Sequence, residues 1–423
     1  MTPRALLLLL VAGLASAPPA HARAGDLDPS FGRSGVAIAA PRDGAELAAL
    51  TLSAGRVVAT GTTRRGACSA ILIARWRPDG LPDRALDRDG MASPRTGPCS
   101  EAGLNGGFAP TAWPKAVAAA PDGRIFVAGA TVPADRTRDQ GLVSAYTPRG
   151  AFDASFSGDG WVADGFEQGA AGDVVRLPDG RLVVGGSAYG LRNYVEVHRY
   201  LPDGTPDPSF SGDGALDWGG RYESFMGAIV VAADGSAVVA RGAGRPDVAR
   251  SELAVDRLLP DGSFDPSFDV HIDLPGLSAQ PFAAVRTPDG ALVVAVHGSA
   301  EGREPASFLF RLRADGSLDP SFGGDGRIQV APGAVELAVD PAGRLVVASA
   351  ERRAAVVTRY LSGGAVDRSF GDRGNVEVRA VRRPRDVVVQ PDGRIVVGGS
   401  AERDGTSAMV VARLLGGRRA RAR

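Results

Sequence analysis

Five charged residues stand near the starts of four short apolar segments, and they are of types that can do chemistry: Lys115, Asp173, Glu336, Arg385 and Asp386. If the segments meet at one opening, these charges can hold a polar ligand or an ion there. Two carboxylates near a cation also match the groups that general acid–base catalysis uses. The alternative is a ring of ion pairs that neutralise one another.

The sequence lacks the motifs of common hydrolases and metal sites. Beyond the N-terminal segment, His198, His271 and His297 lie far apart, and no H-E-x-x-H, C-x-x-C or G-x-S-x-G occurs. The stretch from Asp153 to Asp164 loosely resembles a calcium loop, but serines stand where carboxylates are needed. A turn bonded to its own backbone explains that stretch better. We therefore predict no catalytic residue, no metal site and no cofactor.

Three phrases recur in a fixed order and predict the elements that carry the five charges. The first, D-x-S-F-x-x-x-G, has six copies, of which the one at Asp265 lacks the glycines, and a degenerate copy, DRALDRDG, begins at Asp83. The second joins two apolar runs through a turn, as in LPDGRLVVGG at 177–186, and the third is a strand and turn such as HRYLPDG. Seven turn glycines mark the second phrase, about 50–70 residues apart: Gly55, Gly123, Gly180, Gly235, Gly290, Gly343 and Gly393.

Turn chemistry converts the three phrases into four short strands per repeat. In x-Pro-Asp-Gly the proline presets φ, the aspartate bonds its own backbone, and the glycine takes the left-handed position that closes a hairpin. Four-stranded units at this period are typical of a β-propeller. We predict an all-β protein with seven four-stranded blades. The chain begins with an outer strand and ends on a third strand, so the N-terminal strand should complete the last blade.

The order of the motifs also carries a resemblance. L-D-x-S-F-G-x-x-G, followed by A-V-x-P-D-G-R-I-V-V-x-G and then R-Y-x-x-D-G, resembles the delta-60 repeat family of exported bacterial proteins. The resemblance covers nearly the whole chain after residue 24 and departs most in the repeat that contains Asp83. It implies a propeller-like array in secreted or surface proteins. It implies no reaction and supplies no catalytic residues.

Residues that recur in six of the seven repeats are predicted to stabilise the scaffold. Six phenylalanines of the first phrase should be wedged between blades, each worth ~1.5–3 kcal/mol when buried: Phe31, Phe156, Phe210, Phe268, Phe322 and Phe370. Six arginines recur on the third strands: Arg75, Arg199, Arg257, Arg311, Arg359 and Arg413. We expect these arginines to pair with the aspartates of the first phrase.

Residues 1–24 have the pattern of a signal peptide. Arg4 precedes the apolar run ALLLLLVAGLASA, and small residues up to Ala24 offer a cleavage site. We expect a secreted protein, extracellular or periplasmic, with one propeller domain at 25–417 and a basic tail at 418–423. Loss of Arg4 and Arg23 leaves 46 basic against 48 acidic side chains, which argues against nucleic acid as a partner. We expect no membrane span and a monomer.

The loops after the second and fourth strands share one face of such a ring and vary most in sequence, so binding is expected there. Cys68 and Cys99 lie in consecutive loops of this face, and a disulfide between them would close about thirty residues and contribute ~3 kcal/mol. Two free buried thiols are the alternative. Four aromatic residues in or beside these loops are candidate stacking surfaces: Trp113, Trp218, Tyr222 and Phe225.

Three functions remain open from the sequence. The first is a secreted binding or scaffold module that presents the variable loop face to a glycan, a peptide or a cell-envelope partner. The second is an enzyme of the propeller-lyase or quinoprotein kind, with a polar site at the mouth of the central channel. The third is a structural surface repeat with no small ligand. We rank the binding module first.

Overall fold

The computed structural model consists of seven antiparallel four-stranded sheets, the blades of a β-propeller. The structure describes residues 22–65, 68–94, 111–132, 139–163, 169–188, 193–219, 224–244 and 251–417. Within these ranges the regular elements are strands, and we find no helical segment with the length and apolar character of a membrane span.

The first strand of the chain, β1 (Val36–Ala39), belongs to blade 7. Blade 1 consists of β2 (Ala45–Ser53), β3 (Arg56–Arg65), β4 (Cys68–Trp76) and β5 (Met91–Ala92). Blade 2 consists of β6 (Thr111–Ala119), β7 (Ile125–Val132), β8 (Gln140–Tyr146) and β9 (Trp161–Val162). Blade 3 consists of β10 (Ala170–Arg176), β11 (Leu182–Ala188), β12 (Tyr194–Tyr200) and β13 (Ala215–Trp218).

Blade 4 consists of β14 (Ser224–Val231), β15 (Ala237–Gly244), β16 (Ser251–Leu258) and β17 (Phe264–Ile272). Blade 5 consists of β18 (Ser278–Arg286), β19 (Leu292–Ser299), β20 (Ala306–Leu312) and β21 (Arg327–Val330). Blade 6 consists of β22 (Ala334–Val339), β23 (Leu345–Glu351), β24 (Ala354–Tyr360) and β25 (Asn375–Val378). Blade 7 adds β26 (Arg383–Val389), β27 (Ile395–Arg403) and β28 (Thr406–Leu414) to β1.

The blades close into a ring. The innermost strand of each blade packs against the innermost strands of both neighbours, and β26 packs against β2, so the seven innermost strands surround a central channel. At the closure β1 pairs antiparallel with β28, with Val36 opposite Ala412. The predictions of seven blades and of an N-terminal strand that completes the last blade are confirmed.

The x-Pro-Asp-Gly phrases form the predicted hairpin turns. In blade 2 the amide of Gly123 donates to the carbonyl of Ala120 over 3.0 Å, and the carboxylate of Asp122 accepts from the amide of Arg124 over 3.0 Å. Gly123 has a φ of 91°, in the left-handed region that favours glycine. The first phrase differs in one repeat. At Asp265 it lacks the glycines, and the chain there forms the continuous strand β17.

A buried unit of arginine, aspartate and phenylalanine joins adjacent blades. In blade 6, Arg359 donates to Asp367 over 2.9 Å, and its guanidinium lies 4.4 Å from the ring centroid of Phe370. Its Nη1 donates to the carbonyl of Gly416 in blade 7 over 2.5 Å. The same pairing occurs in five further places: Arg75–Asp83, Arg199–Asp207, Arg257–Asp265, Arg311–Asp319 and Arg413–Asp28. The structural interpretation of both residue sets is confirmed.

Candidate functional site: the central channel

Each innermost strand carries a β-bulge at an equivalent place. The register between the first and second strands of every blade skips one residue there. The seven bulge residues are Ala48, Lys115, Gly172, Gly227, Phe282, Val335 and Arg385. Bulges re-aim side chains and are frequent next to functional sites, so this level of the channel is a candidate site.

The residue that follows the bulge is an acid in three blades and alanine in the other four. Asp173 of blade 3, Glu336 of blade 6 and Asp386 of blade 7 therefore occupy equivalent positions on β10, β22 and β26. In a ring of seven, blade 3 lies opposite the boundary between blades 6 and 7. The three carboxyls consequently face one another across the channel, close enough for their charges to repel.

Backbone amides hold the carboxylates in place. Asp386 accepts a hydrogen bond of 2.5 Å from the amide of Leu50 in blade 1. Asp173 accepts from the amide of Val174 over 2.8 Å and from that of Ile229 in blade 4. The innermost strand is a sheet edge, and its outward N–H groups have no partner strand. The carboxylates thus satisfy edge amides and join neighbouring blades.

The three carboxyls resist ionisation. Burial raises the pKa of Asp386 to about 7, although hydrogen bonds from the amides of Leu50 and Val387 oppose the rise. Burial likewise raises the pKa of Asp173 to about 6. Burial and repulsion from Asp386 raise the pKa of Glu336 well above its ordinary value. Near neutral pH some of these groups keep their protons and can donate as well as accept hydrogen bonds.

The two predicted cations lie at the same level of the channel. Lys115 and Arg385 are the bulge residues of blades 2 and 7, and both are exposed on innermost strands. Within the described part of the chain, no ion pair joins either cation to Asp173, Glu336 or Asp386. The five residues therefore show no ion pairing among themselves in the ranges that the structure describes. The structure brings the three acids together and leaves both cations unpaired with them.

A second tier of side chains, two residues before each bulge, borders the channel nearer the variable loop face. Trp113 and Phe225 are half-buried in this tier, and Gln280 is exposed. Glu46 and Arg383, from neighbouring blades, form an ion pair of 3.0 Å. The sequence analysis did not identify Glu46, Gln280 or Arg383. The only sequence feature that could have identified them is their position two residues before the bulge. The alternation of apolar residues does not reveal where a bulge lies.

Trp218 packs between blades instead of standing free at the loop face. Its Nε1 donates to Asp256 of blade 4 over 3.1 Å. Its ring meets that of Phe264 edge-on, with the centroids 5.4 Å apart. Tyr222, the fourth predicted aromatic residue, lies outside the described residues. Trp218 therefore contributes mainly to the contact between blades 3 and 4.

The histidines do not converge with the channel carboxyls. His198 is hydrogen-bonded to Glu196 on β12 over 3.0 Å, and His271 to Glu252 over 2.6 Å. His297 lies on β19 of blade 5. In the ranges that the structure describes, no group of three or more His, Cys, Asp or Glu side chains is arranged to hold a metal ion.

Two further predictions concern the loops. Asp153 accepts from the amide of Ser155 over 3.1 Å and from its hydroxyl over 2.6 Å, so the backbone-bonded turn is confirmed. Asp164, at the end of the calcium-like stretch, lies outside the described residues. Cys99 and the side chain of Cys68 also lie outside them. The disulfide therefore stays a prediction.

Three segments of the chain match a known β-propeller family. Residues 177–210, 287–322 and 390–416 match the family described as a domain of unknown function (DUF5122) β-propeller. These segments belong to blades 3, 5 and 7. No curated protein matches the chain in sequence.

Several solved structures align with most of this chain. The polysaccharide lyase Uly1 aligns with 91% of this chain and 91% of its own, at 12% identity and a TM-score of 0.54. A protein of unknown function from Dyadobacter fermentans aligns over 92% and 100%, at 13% identity and a TM-score of 0.45. An α-L-arabinanase from Penicillium chrysogenum aligns over 88% and 96%, at 12% identity and a TM-score of 0.43.

At these identities the likeness shows the fold alone. The family matches cover three of the seven repeats and support the same architecture. The delta-60 name remains a resemblance of the motifs. The chain is thus a seven-bladed β-propeller whose repeats are similar to those of a β-propeller repeat family.

Proposed function

We propose that the protein is an exported binding module that holds a carbohydrate at the loop-face mouth of its central channel. The observation that carries the proposal is the set of three facing carboxyls, Asp173, Glu336 and Asp386, whose pKa values are raised. A protonated carboxyl donates one hydrogen bond and accepts others, which suits hydroxyl groups that also donate and accept. Export is supported by the signal-peptide pattern of residues 1–24.

The tier above the carboxyls supports the same ligand class. Trp113 and Phe225 are half-buried there, and the apolar face of a sugar ring can pack on aromatic side chains of this kind. Lys115 and Arg385 add donors at the level of the carboxyls. The polysaccharide lyase named above shares the fold, and this makes carbohydrate the ligand class to test first.

The experiment is a thermal-shift series on residues 25–423 with a neutral glucose hexamer, a uronate hexamer, calcium chloride and a chelator. A ligand at ~100 times its Kd stabilises the folded state by about 2.7 kcal/mol. We expect a dose-dependent rise in Tm with a saccharide, which is lost in Asp173→Ala and Glu336→Ala because alanine removes both the donor and the acceptor. Asp325→Asn is the control, because Asp325 is exposed in a surface turn and, among the described residues, pairs only with Arg327. Equal shifts in all variants, or no shift with any saccharide, would contradict the proposal.

A second candidate function is acid–base catalysis at the same carboxyls. The observation that favours it is the pair of pKa values of about 6 for Asp173 and about 7 for Asp386, which are suited to proton transfer near neutral pH. The saccharides of the binding series would be assayed for chain cleavage. Cleavage that disappears in Asp386→Asn at an unchanged Tm would support an enzyme. Binding of a saccharide without its cleavage would contradict the catalytic function.

We also propose the disulfide between Cys68 and Cys99, which the place of Cys68 at the loop-face end of β4 and the export pattern support. It should contribute ~3 kcal/mol by closing a loop of about thirty residues. Mass spectrometry of the unreduced, alkylated protein should find no free thiol, and reduction should lower the Tm. Labelling of both cysteines before reduction would contradict the disulfide.

A further inference from the structure

A cavity of about 690 Å³ lies between blades 1 and 2, on the face opposite the variable loops. The turns between the first and second strands of both blades and the degenerate phrase at residues 83–90 border it. Among its lining residues are five arginines: Arg56, Arg75, Arg84, Arg88 and Arg149. Three aspartates also line it: Asp83, Asp87 and Asp122. The lining therefore carries a formal net charge of two positive.

Three departures from the repeat coincide at this junction. Leu86 stands where other repeats have phenylalanine, and Ala85 stands where they have serine. Arg149 of blade 2 replaces the aspartate of the turn phrase. Leu86 and Ala85 are smaller than the residues they replace, and Arg149 puts a cation in the place of an anion. Together they leave space at this junction and make its lining more positive.

The first consequence concerns Arg75, which is only 6% exposed. Its Nε donates to Asp83 over 2.8 Å, as in the other blades. In blade 7 the equivalent Arg413 also donates from Nη1 to the carbonyl of Pro78 over 2.6 Å and from Nη2 to a serine hydroxyl over 3.1 Å. Within the described residues, neither terminal nitrogen of Arg75 makes a hydrogen bond. A buried guanidinium with free donors thus lines the cavity.

The second consequence concerns the exposed arginines. Arg84, Arg88 and Arg149 form no ion pair with any residue of the described ranges. Asp83 is occupied by Arg56, at 2.9 Å, as well as by Arg75. Three guanidinium groups at the rim are therefore available to an anion that also reaches Arg75.

The backbone conformation at Arg88 also indicates a functional site. Its φ is 67°, in the left-handed region that side chains other than glycine rarely adopt. Glycine fills the equivalent position in blades 2, 3 and 5, as Gly158, Gly212 and Gly324, also with positive φ. An arginine at a position that the fold prefers to give to glycine is strained, and such strain is concentrated at functional sites.

We propose that this cavity binds a tetrahedral oxyanion, the phosphate or sulfate group of a monoester or the free ion. Guanidinium groups bind such oxyanions through paired, charge-assisted hydrogen bonds. Arg75 supplies the two terminal nitrogens of its guanidinium as donors, and Arg84, Arg88 and Arg149 donate from the rim. The site lies on the opposite face from the channel mouth and does not depend on the carbohydrate proposal.

Isothermal titration calorimetry at constant ionic strength tests the site with inorganic phosphate, inorganic sulfate, glucose 6-phosphate and glucose 6-sulfate. We expect saturable binding of at least one probe below ~10 mM, and tighter binding of an ester than of its free ion would identify the ester as the source. Tighter binding of the free ion would identify the ion. Absence of binding by all four probes would overturn the proposal.

Matched variants locate the binding. Arg88→Gln and Arg84→Gln should each weaken it by about tenfold. Arg33→Gln and Arg368→Gln are the controls, because these exposed arginines occupy the equivalent positions in the copies of the phrase at Asp28 and Asp367. The controls should stay within about twofold of wild type. Equal weakening in controls and variants would mean diffuse attraction to surface charge and would overturn the site.

Discussion

Replacement of Asp386 by asparagine should make the stability of the protein less dependent on pH. The folded protein keeps the proton on this carboxyl up to about pH 7, because burial raises its pKa, whereas the unfolded chain releases it near pH 4. A group whose pKa is raised in the folded state contributes its full stabilisation below the unfolded pKa, and that contribution is lost as the pH rises through the folded pKa. Wild type should therefore lose stability between about pH 4 and pH 7.

The size of the effect follows from the shift. A rise from 3.8 to about 7 is about three pKa units, and at about 1.4 kcal/mol per unit the upper limit is about 4 kcal/mol. Asp386 is partly exposed in the channel and titrates together with Glu336 and Asp173. Water and the shared titration reduce the effect, so we expect Asp386→Asn to gain about 1–3 kcal/mol relative to wild type between pH 4.5 and pH 8.

Aspartates of the repeated phrase act in the opposite pH window. Burial alone would raise the pKa of Asp207, but hydrogen bonds from Ser209 and Arg181 and the charge of Arg199 lower it to about 2. A lowered pKa contributes stability above the unfolded value, and this stability is lost as the pH falls from about 4 to about 2. The measurement on Asp386 should therefore stay above about pH 4.5.

The assay is urea unfolding followed by tryptophan fluorescence at several pH values, with Asp325→Asn as the control. The control should follow the wild-type profile, because Asp325 is exposed and lies outside the channel. Parallel profiles for wild type and Asp386→Asn would refute the argument that the folded channel keeps this carboxyl protonated.

Three changes to the scaffold should each lower the free energy of unfolding, as measured by urea denaturation. Phe370→Ala should cost about 3–5 kcal/mol, because the ring is fully buried, and a cost below about 1 kcal/mol would refute its role between blades. Asp28→Ala should cost about 3–5 kcal/mol by leaving Arg413 buried without its partner at the ring closure; an unchanged midpoint would contradict the importance of that closure. Gly262→Ala should cost about 1–3 kcal/mol, because its φ is 88° and a Cβ there would lie 3.0 Å from the ring of Phe210; a neutral result would mean that the turn relaxes freely.

The sequence was sufficient to predict the scaffold because most repeats place the same contacting residue types at the same spacing. In five blades the paired arginine and aspartate are eight residues apart, as in Arg359 and Asp367. Asp28 has no arginine eight residues before it, and Arg413 has no aspartate eight residues after it. These two unmatched residues pair at the ring closure. Local spacing thus specifies even the longest-range contact of the fold.

The two candidate sites could be predicted only in part. The sequence analysis selected Asp173, Glu336 and Asp386, but it could not show that each follows a bulge, since a bulge depends on the pairing with the second strand. Hydrogen bonds from the next blade, such as that from Leu50, depend on how blades pack. The basic cavity arises where several residues at one junction depart from the repeat pattern. In the sequence, a single departure such as Leu86 indicates only that the repeat is degenerate.

The most direct test of carbohydrate binding in the channel is isothermal titration calorimetry with the saccharide that raises the Tm most. Wild type and the double variant Asp173→Ala, Asp386→Ala would be compared at pH 6 and pH 8. We predict binding at pH 6 that is about tenfold weaker in the double variant, and weaker wild-type binding at pH 8, where the carboxyls lose their protons. Equal Kd values for wild type and the double variant at both pH values would contradict the assignment of the site to these carboxyls.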